Sequence, residues 1–313
     1  RLGYFPNITH APALVAVERG TYTEALGAGV TLETATFNAG PAAVEAVLSG
    51  ALDATFIGPN PAINAYVKSK GEAVRVVAGS TSGGAFLVVD PSIAGPADLK
   101  GKKLATPQLG NTQDVALRAW LGTQGYKLTL DGANDVTIAP MENAQSLEAL
   151  RSGSIAGAWV PEPWATRMIL EGNGKVLVDE RTLWPEGRYV TVHLMVRAPF
   201  LAEHPDVVEK LLTAHVDTIE WIVAHPDEAQ QLTNAGIKKI TGKDIKPEVL
   251  KGSWANLTFT TDPIATSLRK SADDAVTAGL LDLEGVNLAG IHDLTLLNKV
   301  LAGKGQPVVA VAQ

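Results

Sequence analysis

Cysteine is missing from all 313 residues. A disulfide framework, a thiol nucleophile and a cysteine-held metal or iron–sulfur cluster are thereby excluded. The absence suits an oxidising compartment, where a stray thiol is a liability. Long apolar runs are missing as well, since none reaches the ~18–20 residues of a membrane helix. Positive charge is in deficit, with 26 Lys and Arg against 33 Asp and Glu and a net charge of -7. Nucleic acid, which is bound through phosphate neutralisation by Lys and Arg, is therefore not an expected partner. The six histidines include no pair at metal-ligand spacing with a supporting carboxylate, so neither metal nor cofactor is expected. The Gly-x-Ser-x-Gly elbow, the phosphate-loop Gly-Lys-Ser/Thr and the three-glycine dinucleotide fingerprint are all absent, which argues against an enzyme. The chain opens at Arg1, without Met, on an apolar strand pattern. This reads as a mature or trimmed protein whose signal segment is no longer present.

What is present is a folded composition, 46% hydrophobic and 19% charged, and enough length for about two domains. The most informative feature is a duplication. Residues Ala43–Ala62 can be laid over Ser146–Ala165, so that Glu45 meets Glu148, Ser49-Gly50 meets Ser152-Gly153, and Ile57 meets Val160. Upstream, Val30-Thr-Leu32 with Asn38-Ala39 resembles Val136-Thr-Ile138 with Asn143-Ala144, and Leu14–Gly20 resembles Ala116–Gly122. The period is too long for a solenoid and fits two α/β lobes of similar build.

Proline openings and glycine stops predict helices over Pro12–Arg19, Pro41–Leu48 and Pro61–Lys70, with counterparts over Thr112–Leu121 and Ala144–Arg151. Alternation of strands and helices implies parallel sheets covered on both faces. Two extended apolar segments, Gly83–Val89 and Tyr189–Val196, bracket the second unit and read as crossings between lobes. Lobe one is expected over 1–86 plus 194–313, and lobe two over 87–193. The C-terminal third is expected to be helical, packed on lobe one, with Gly303–Gln313 as a frayed tail.

In open parallel sheets, ligands sit beyond the C-terminal strand ends, where loops lead into helices. Those loops here are Pro6–His10, Gly58–Asn60, Pro107–Gln113 and Pro161–Trp164, with Ser80–Gly84 as a further loop at the first crossing. They are neutral and rich in donors. Free N–H groups at helix starts make an anion site without full positive charge. The absence of Lys and Arg from 7–10 and 108–113 favours a weakly basic oxyanion such as sulfonate or nitrate over a multiply charged phosphate. Asn111 and Thr112 read either as a helix cap alone or as a cap that also touches ligand. Glu162 would hold the cationic part of a zwitterion or pair with Arg167 or Arg118. Trp164 would wall a ligand tail or pack in the core. His10 and His193 are donors to an anion or structural residues.

The motifs Gly3-Tyr-Phe-Pro-Asn-Ile-Thr-His-Ala-Pro12, Asp53-Ala-Thr-Phe-Ile-Gly-Pro-Asn-Pro61, Asp98-Leu-Lys-Gly-Lys-Lys103, Gly110-Asn-Thr-Gln-Asp114 and Val160-Pro-Glu-Pro-Trp-Ala165 together resemble the nitrate/sulfonate/taurine class of substrate-binding proteins of ABC transporters. The aliphatic-sulfonate-like branch is the nearest. The resemblance implies an α/β bilobal periplasmic-binding-protein fold of the second type, two lobes joined by two hinge strands. It implies a monomer, periplasmic or membrane-anchored outside the cell, that passes a small organic anion or zwitterion to a permease. By the family's pattern the contacts fall at Asn7, Thr9, His10, Asn60, Ser82, Gly83, Gln108, Asn111, Thr112 and Glu162, to which Trp164 and His193 are added from their chemistry. An enzyme on the same fold, making a pyrimidine precursor with His10 as its reactive residue, is the alternative. So is a binding protein for taurine, nitrate or a pyrimidine.

Overall fold

The computed structural model describes residues 1–129 and 134–310. Its strands are β1 (Leu2–Tyr4), β2 (Thr34–Thr36), β3 (Ala54–Ile57), β4 (Val74–Gly83), β5 (Ala85–Val89), β6 (Lys103–Thr106), β7 (Thr137–Pro140), β8 (Gly157–Pro161), β9 (Lys175–Asp179), β10 (Val190–Arg197) and β11 (Leu257–Phe259). In the first half of the chain the helices are α1 (Ala11–Arg19), α2 (Thr21–Leu26), α3 (Gly40–Leu48), α4 (Pro59–Lys68), α5 (Thr112–Thr123), α6 (Asn143–Arg151) and α7 (Trp164–Leu170). The remainder adds α8 (Ala198–Glu203), α9 (Pro205–Ala224), α10 (Pro226–Thr241), α11 (Pro247–Trp254), α12 (Ala265–Thr277) and α13 (Thr295–Gly303). No helix among the described residues is long and apolar enough to cross a membrane.

Two sheets organise these elements, ordered β11-β4-β10-β3-β1-β2 and β7-β6-β8-β5-β9. Each belongs to one lobe of a bilobal α/β fold. The duplication is visible in three dimensions: the β3–α4 turn of lobe one corresponds to the β8–α7 turn of lobe two, and α3 corresponds to α6. Within each lobe the duplicated strands are parallel, β1 with β2 and β3, and β6 with β7 and β8.

The sheets are nevertheless mixed, which corrects the expectation of purely parallel ones. β10 runs antiparallel to β3 and β4, and β5 runs antiparallel to β8 and β9. The cause is the double crossing. A strand that enters a lobe from the other lobe starts at the facing end and runs away from it, against its neighbours. Ser80–Gly84 is likewise not a loop. β4 stays extended to Gly83, and the chain turns through Gly83 and Gly84, at φ +81 and +74. Ala85 and Phe86 then pair in the second sheet, and Val190 to His193 pair in the first. The sheets thus change over slightly earlier in sequence than the 86/87 and 193/194 limits expected above.

Both faces of each sheet are buried, and alternation along the strands shows it. Phe56, Val77 and Leu194 join a core under α1, α9 and α13, whereas Ile57, Val76 and Met195 join one under α3, α4 and α12. In lobe two, Leu87, Val89 and Trp159 face one side and Phe86, Val88 and Val160 the other. Period-2 alternation with every position apolar is what a sheet covered on two sides requires. The tail does not simply fray. Asn298 on α13 donates to Val309 O at 3.0 Å and accepts from Val309 N at 2.8 Å; residues 311–313 lie outside the described ones.

Candidate functional site

Parallel strands deliver their helices' N-termini to one end of each sheet, and the two lobes present these ends to one another. The crevice between them has a volume of about 40 Å³. Five helix starts border it: His10 before α1, Ala39 and Gly40 at α3, Gly58 before α4, Asn111 and Thr112 at α5, and Asn143 opening α6. Among the described residues, none that lines the crevice is Lys, Arg, Asp or Glu. The positive character of the site therefore comes from backbone N–H groups and helix dipoles, which together favour an anion.

His10 fits that design as a neutral donor. It is fully buried and stacked on Phe5 at 4.4 Å between ring centroids. Burial pushes its pKa down to about 3. Phe5 N donates to Nδ1 at 3.3 Å, so the ring proton resides on Nε2 and that edge can donate. Asn111 caps α5 by accepting Asp114 N at 2.9 Å through Oδ1, while its Nδ2 donates to Gln113 Oε1 at 3.1 Å. The 107–112 turn is held from beneath by Asp114. One carboxylate oxygen accepts Thr106 Oγ1 at 2.9 Å; the other accepts Gly110 N and Arg118 Nε, each at 3.0 Å. Gly58 lets the lobes approach closely, because a Cβ there would fall 2.3 Å from Thr112 Oγ1.

The structure brings Asn7, Thr9, His10, Asn111 and Thr112 together around the crevice. Other expected positions lie elsewhere. Asn60 lies in the first turn of α4, but its side chain donates to Ser271 O at 2.9 Å, toward α12. Ser82 and Gly83 border a separate cavity of about 390 Å³ behind the crossing, with Arg181 and Arg188. Gln108 does not line the crevice, and its carbonyl accepts Asn111 N at 3.1 Å in the turn. His193 is buried in β10 with Nε2 donating to Pro263 O at 3.1 Å, and its ring meets His292 edge-on at 6.3 Å.

Glu162 is fully buried beside the crossing and pairs with neither Arg167 nor Arg118, which are held by Glu171 and Asp114. Its carboxylate accepts Thr166 N at 3.0 Å, Thr166 Oγ1 at 2.8 Å and Asn256 Nδ2 of lobe one at 2.7 Å. Burial raises its pKa, and these donors act against the rise. Trp164 is partly buried and donates through Nε1 to Asn7 Oδ1, in the other lobe, at 3.0 Å. The crevice also includes residues that were not singled out as contacts, among them Asn38 and Asn143. Their signal was in the duplication itself, where both stand ahead of the matching helices. Asn143 Oδ1 is buried without a partner, and Asn38 Nδ2 donates to Glu142 Oε1 across the lobes at 2.8 Å.

Several known proteins share this build. A putative aliphatic sulfonates-binding protein of Bacillus subtilis is 26% identical over 93% of this chain and 85% of its own length. The taurine-binding periplasmic protein of Escherichia coli is 30% identical over 69% of this chain and 64% of its own. Among solved structures, the alkanesulfonate-binding protein of Xanthomonas axonopodis pv. citri bound to MOPS superposes with a TM-score of 0.73 at 17% identity, covering 92% of this chain and 97% of that one. The nitrate-binding protein of Synechocystis PCC 6803 does so with a TM-score of 0.77 at 15% identity, covering 96% and 88%. At such identities these structures establish the periplasmic-binding-protein fold. The model of the NMT1-like family matches residues 1–236, and the chain belongs to that family.

Proposed function

We propose that the chain is the solute-binding component of an ABC importer, which captures a small organic anion of the sulfonate type between its lobes and passes it to a membrane permease. The observation that carries this reading is the convergence of five helix N-termini, from both lobes, on a crevice lined by no charged side chain. A monoanion of low basicity gains from oriented N–H groups without needing a full countercharge. A phosphate dianion would lack the Arg partner it usually recruits. The names of the sulfonate-, taurine- and nitrate-binding relatives agree with this class.

Contacts to both lobes are what make binding drive closure, because a ligand shifts the equilibrium only by its differential affinity for the two states. Asn7, Thr9 and His10 would act from lobe one, and Asn111 and Thr112 from lobe two. Function outside the cytoplasm, as a monomer, goes with this role. Capture without turnover also agrees with His10, which burial holds neutral and whose Nδ1 is already engaged.

Thermal denaturation with alkyl sulfonates, taurine, nitrate, bicarbonate, phosphate and pyrimidines tests the proposal. A sulfonate-class anion should raise Tm in a concentration-dependent way, by an amount that follows RT ln(1 + [L]/Kd). Stabilisation by phosphate or a pyrimidine alone would overturn it. So would turnover of a bound compound that His10→Ala abolishes.

A further inference from the structure

The crevice adjoins a second, larger space of about 520 Å³, and the two share Asn7, Asn38 and Asn143. The boundary between them is spanned by the two cross-lobe hydrogen bonds already described, Trp164 to Asn7 and Asn38 to Glu142. Asn7 and Asn38 border both spaces, whereas Trp164 and Glu142 border only the outer one. The indole is braced from one side. The Arg167 guanidinium lies 4.7 Å from the centre of the Trp164 ring and donates through Nε to Glu171 Oε2 at 3.0 Å. Lys246 of lobe one reaches the same carboxylate at 3.3 Å. A line of contacts therefore runs from Lys246 through Glu171, Arg167 and Trp164 to Asn7, leaving lobe one and returning to it.

We propose that Asn7–Trp164 and Asn38–Glu142 form a gate that seals the crevice behind a compact solute and makes the protein select by the length of tail behind the anionic head. This rests on the anion-binding function proposed above. A solute that fits the inner space leaves both bonds intact. Each bond exists only when the lobes are closed, so each slows release. A long tail must pass between the pairs, and in doing so it breaks at least one. Asn7 is buried, and its Oδ1 then loses its donor. Selection of this kind discriminates by an unpaired polar group, which rejects more strongly than a poor apolar fit.

Calorimetric titration with methanesulfonate, butanesulfonate and octanesulfonate tests the gate in the full chain. Methanesulfonate should bind the wild type at least ten-fold more tightly than octanesulfonate. Trp164→Ala should narrow that ratio at least five-fold, mainly by improving octanesulfonate. Trp164→Phe keeps the ring and removes the donor, and it should speed methanesulfonate release by about five-fold in stopped flow, the worth of one neutral hydrogen bond. Should Trp164→Ala fail to fold, Glu142→Ala, at an exposed position, reads the second bond in the same way. Equal affinity of the wild type for the short and long sulfonates overturns the gate alone. So does an unchanged ratio in both Ala variants. Failure of all three sulfonates to bind overturns the function proposed above, and the gate with it.

Discussion

Asn111 both caps α5 and borders the crevice, and aspartate separates the two roles. Asp is as good a cap as Asn and suits the positive end of the helix dipole. Asn111→Asp should therefore keep the unfolding free energy within about 0.5 kcal/mol of wild type. It also places a negative charge where the anion sits, so calorimetry should show at least a ten-fold loss of affinity for whichever anion stabilises the wild type. Glu180 gives a prediction in pH. It is fully buried between lobe two's Trp159, whose Nε1 donates to Oε2 at 2.7 Å, and α12, and burial raises its pKa to about 7. Between its ordinary value of 4.5 and 7 the folded chain holds a proton that the unfolded chain lacks. That contribution is complete below about 4.5 and is lost as pH rises through 7. Glu180→Gln keeps an acceptor for Trp159 and cannot ionise. It should gain roughly 1–3 kcal/mol over wild type in urea denaturation at pH 8, and about nothing at pH 4.5. The buried histidines act in the opposite sense in both proteins. His10 and His193 are held near 3 and His215 and His292 near 4 by burial, so their share of stability falls as pH drops below about 6.5.

At the scale of elements, the first crossing depends on a glycine pair. Gly83 has φ +81, and a Cβ there would come within 2.7 Å of the backbone carbonyl of Asn256. Gly83→Ala should cost about 1–3 kcal/mol in urea denaturation, from left-handed strain plus that clash. Loss of less than about 0.5 kcal/mol would show that the crossing tolerates another backbone path. Most helices were legible because their boundaries are local chemistry: Pro at the first turn of α3 and α9, Gly20 in the left-handed stop of α1. Strand direction was not legible. Val190–Arg197 reads as an apolar strand whichever way it runs, and only its entry from the other lobe makes β10 antiparallel. Short β11 (Leu257–Phe259) has too few residues for an alternating pattern and owes its place to pairing with the end of β4.

At the scale of the whole molecule, the duplication led to the cleft but not to every side chain in it. Sequence tells which end of a helix faces a ligand. It does not tell which way each residue of the first turn points, because neighbours remote in sequence decide. Asn60 is drawn away by Ser271, 211 residues later, and Glu162 by Asn256, 94 residues later. Asn38 and Asn143 were visible as repeated residues and became crevice residues only when the lobes met. The order of strands has one more consequence. Both crossings leave lobe one from neighbouring strands, β4 and β10, while β2 is the far edge of the same sheet and β7 the far edge of the other. Asn38 and Glu142 follow those edges, each three strand spacings or roughly 14 Å from the strand that enters its lobe, β10 or β5. A swing of roughly 10° about the crossing moves that rim by about 2–3 Å, enough to part a bond of 2.8 Å, while Thr191 beside Gly83 scarcely shifts. The lever is longest at that rim, so a hinge swing unzips the molecule from its outer edge inward and opens a way out for the solute opposite the pivot.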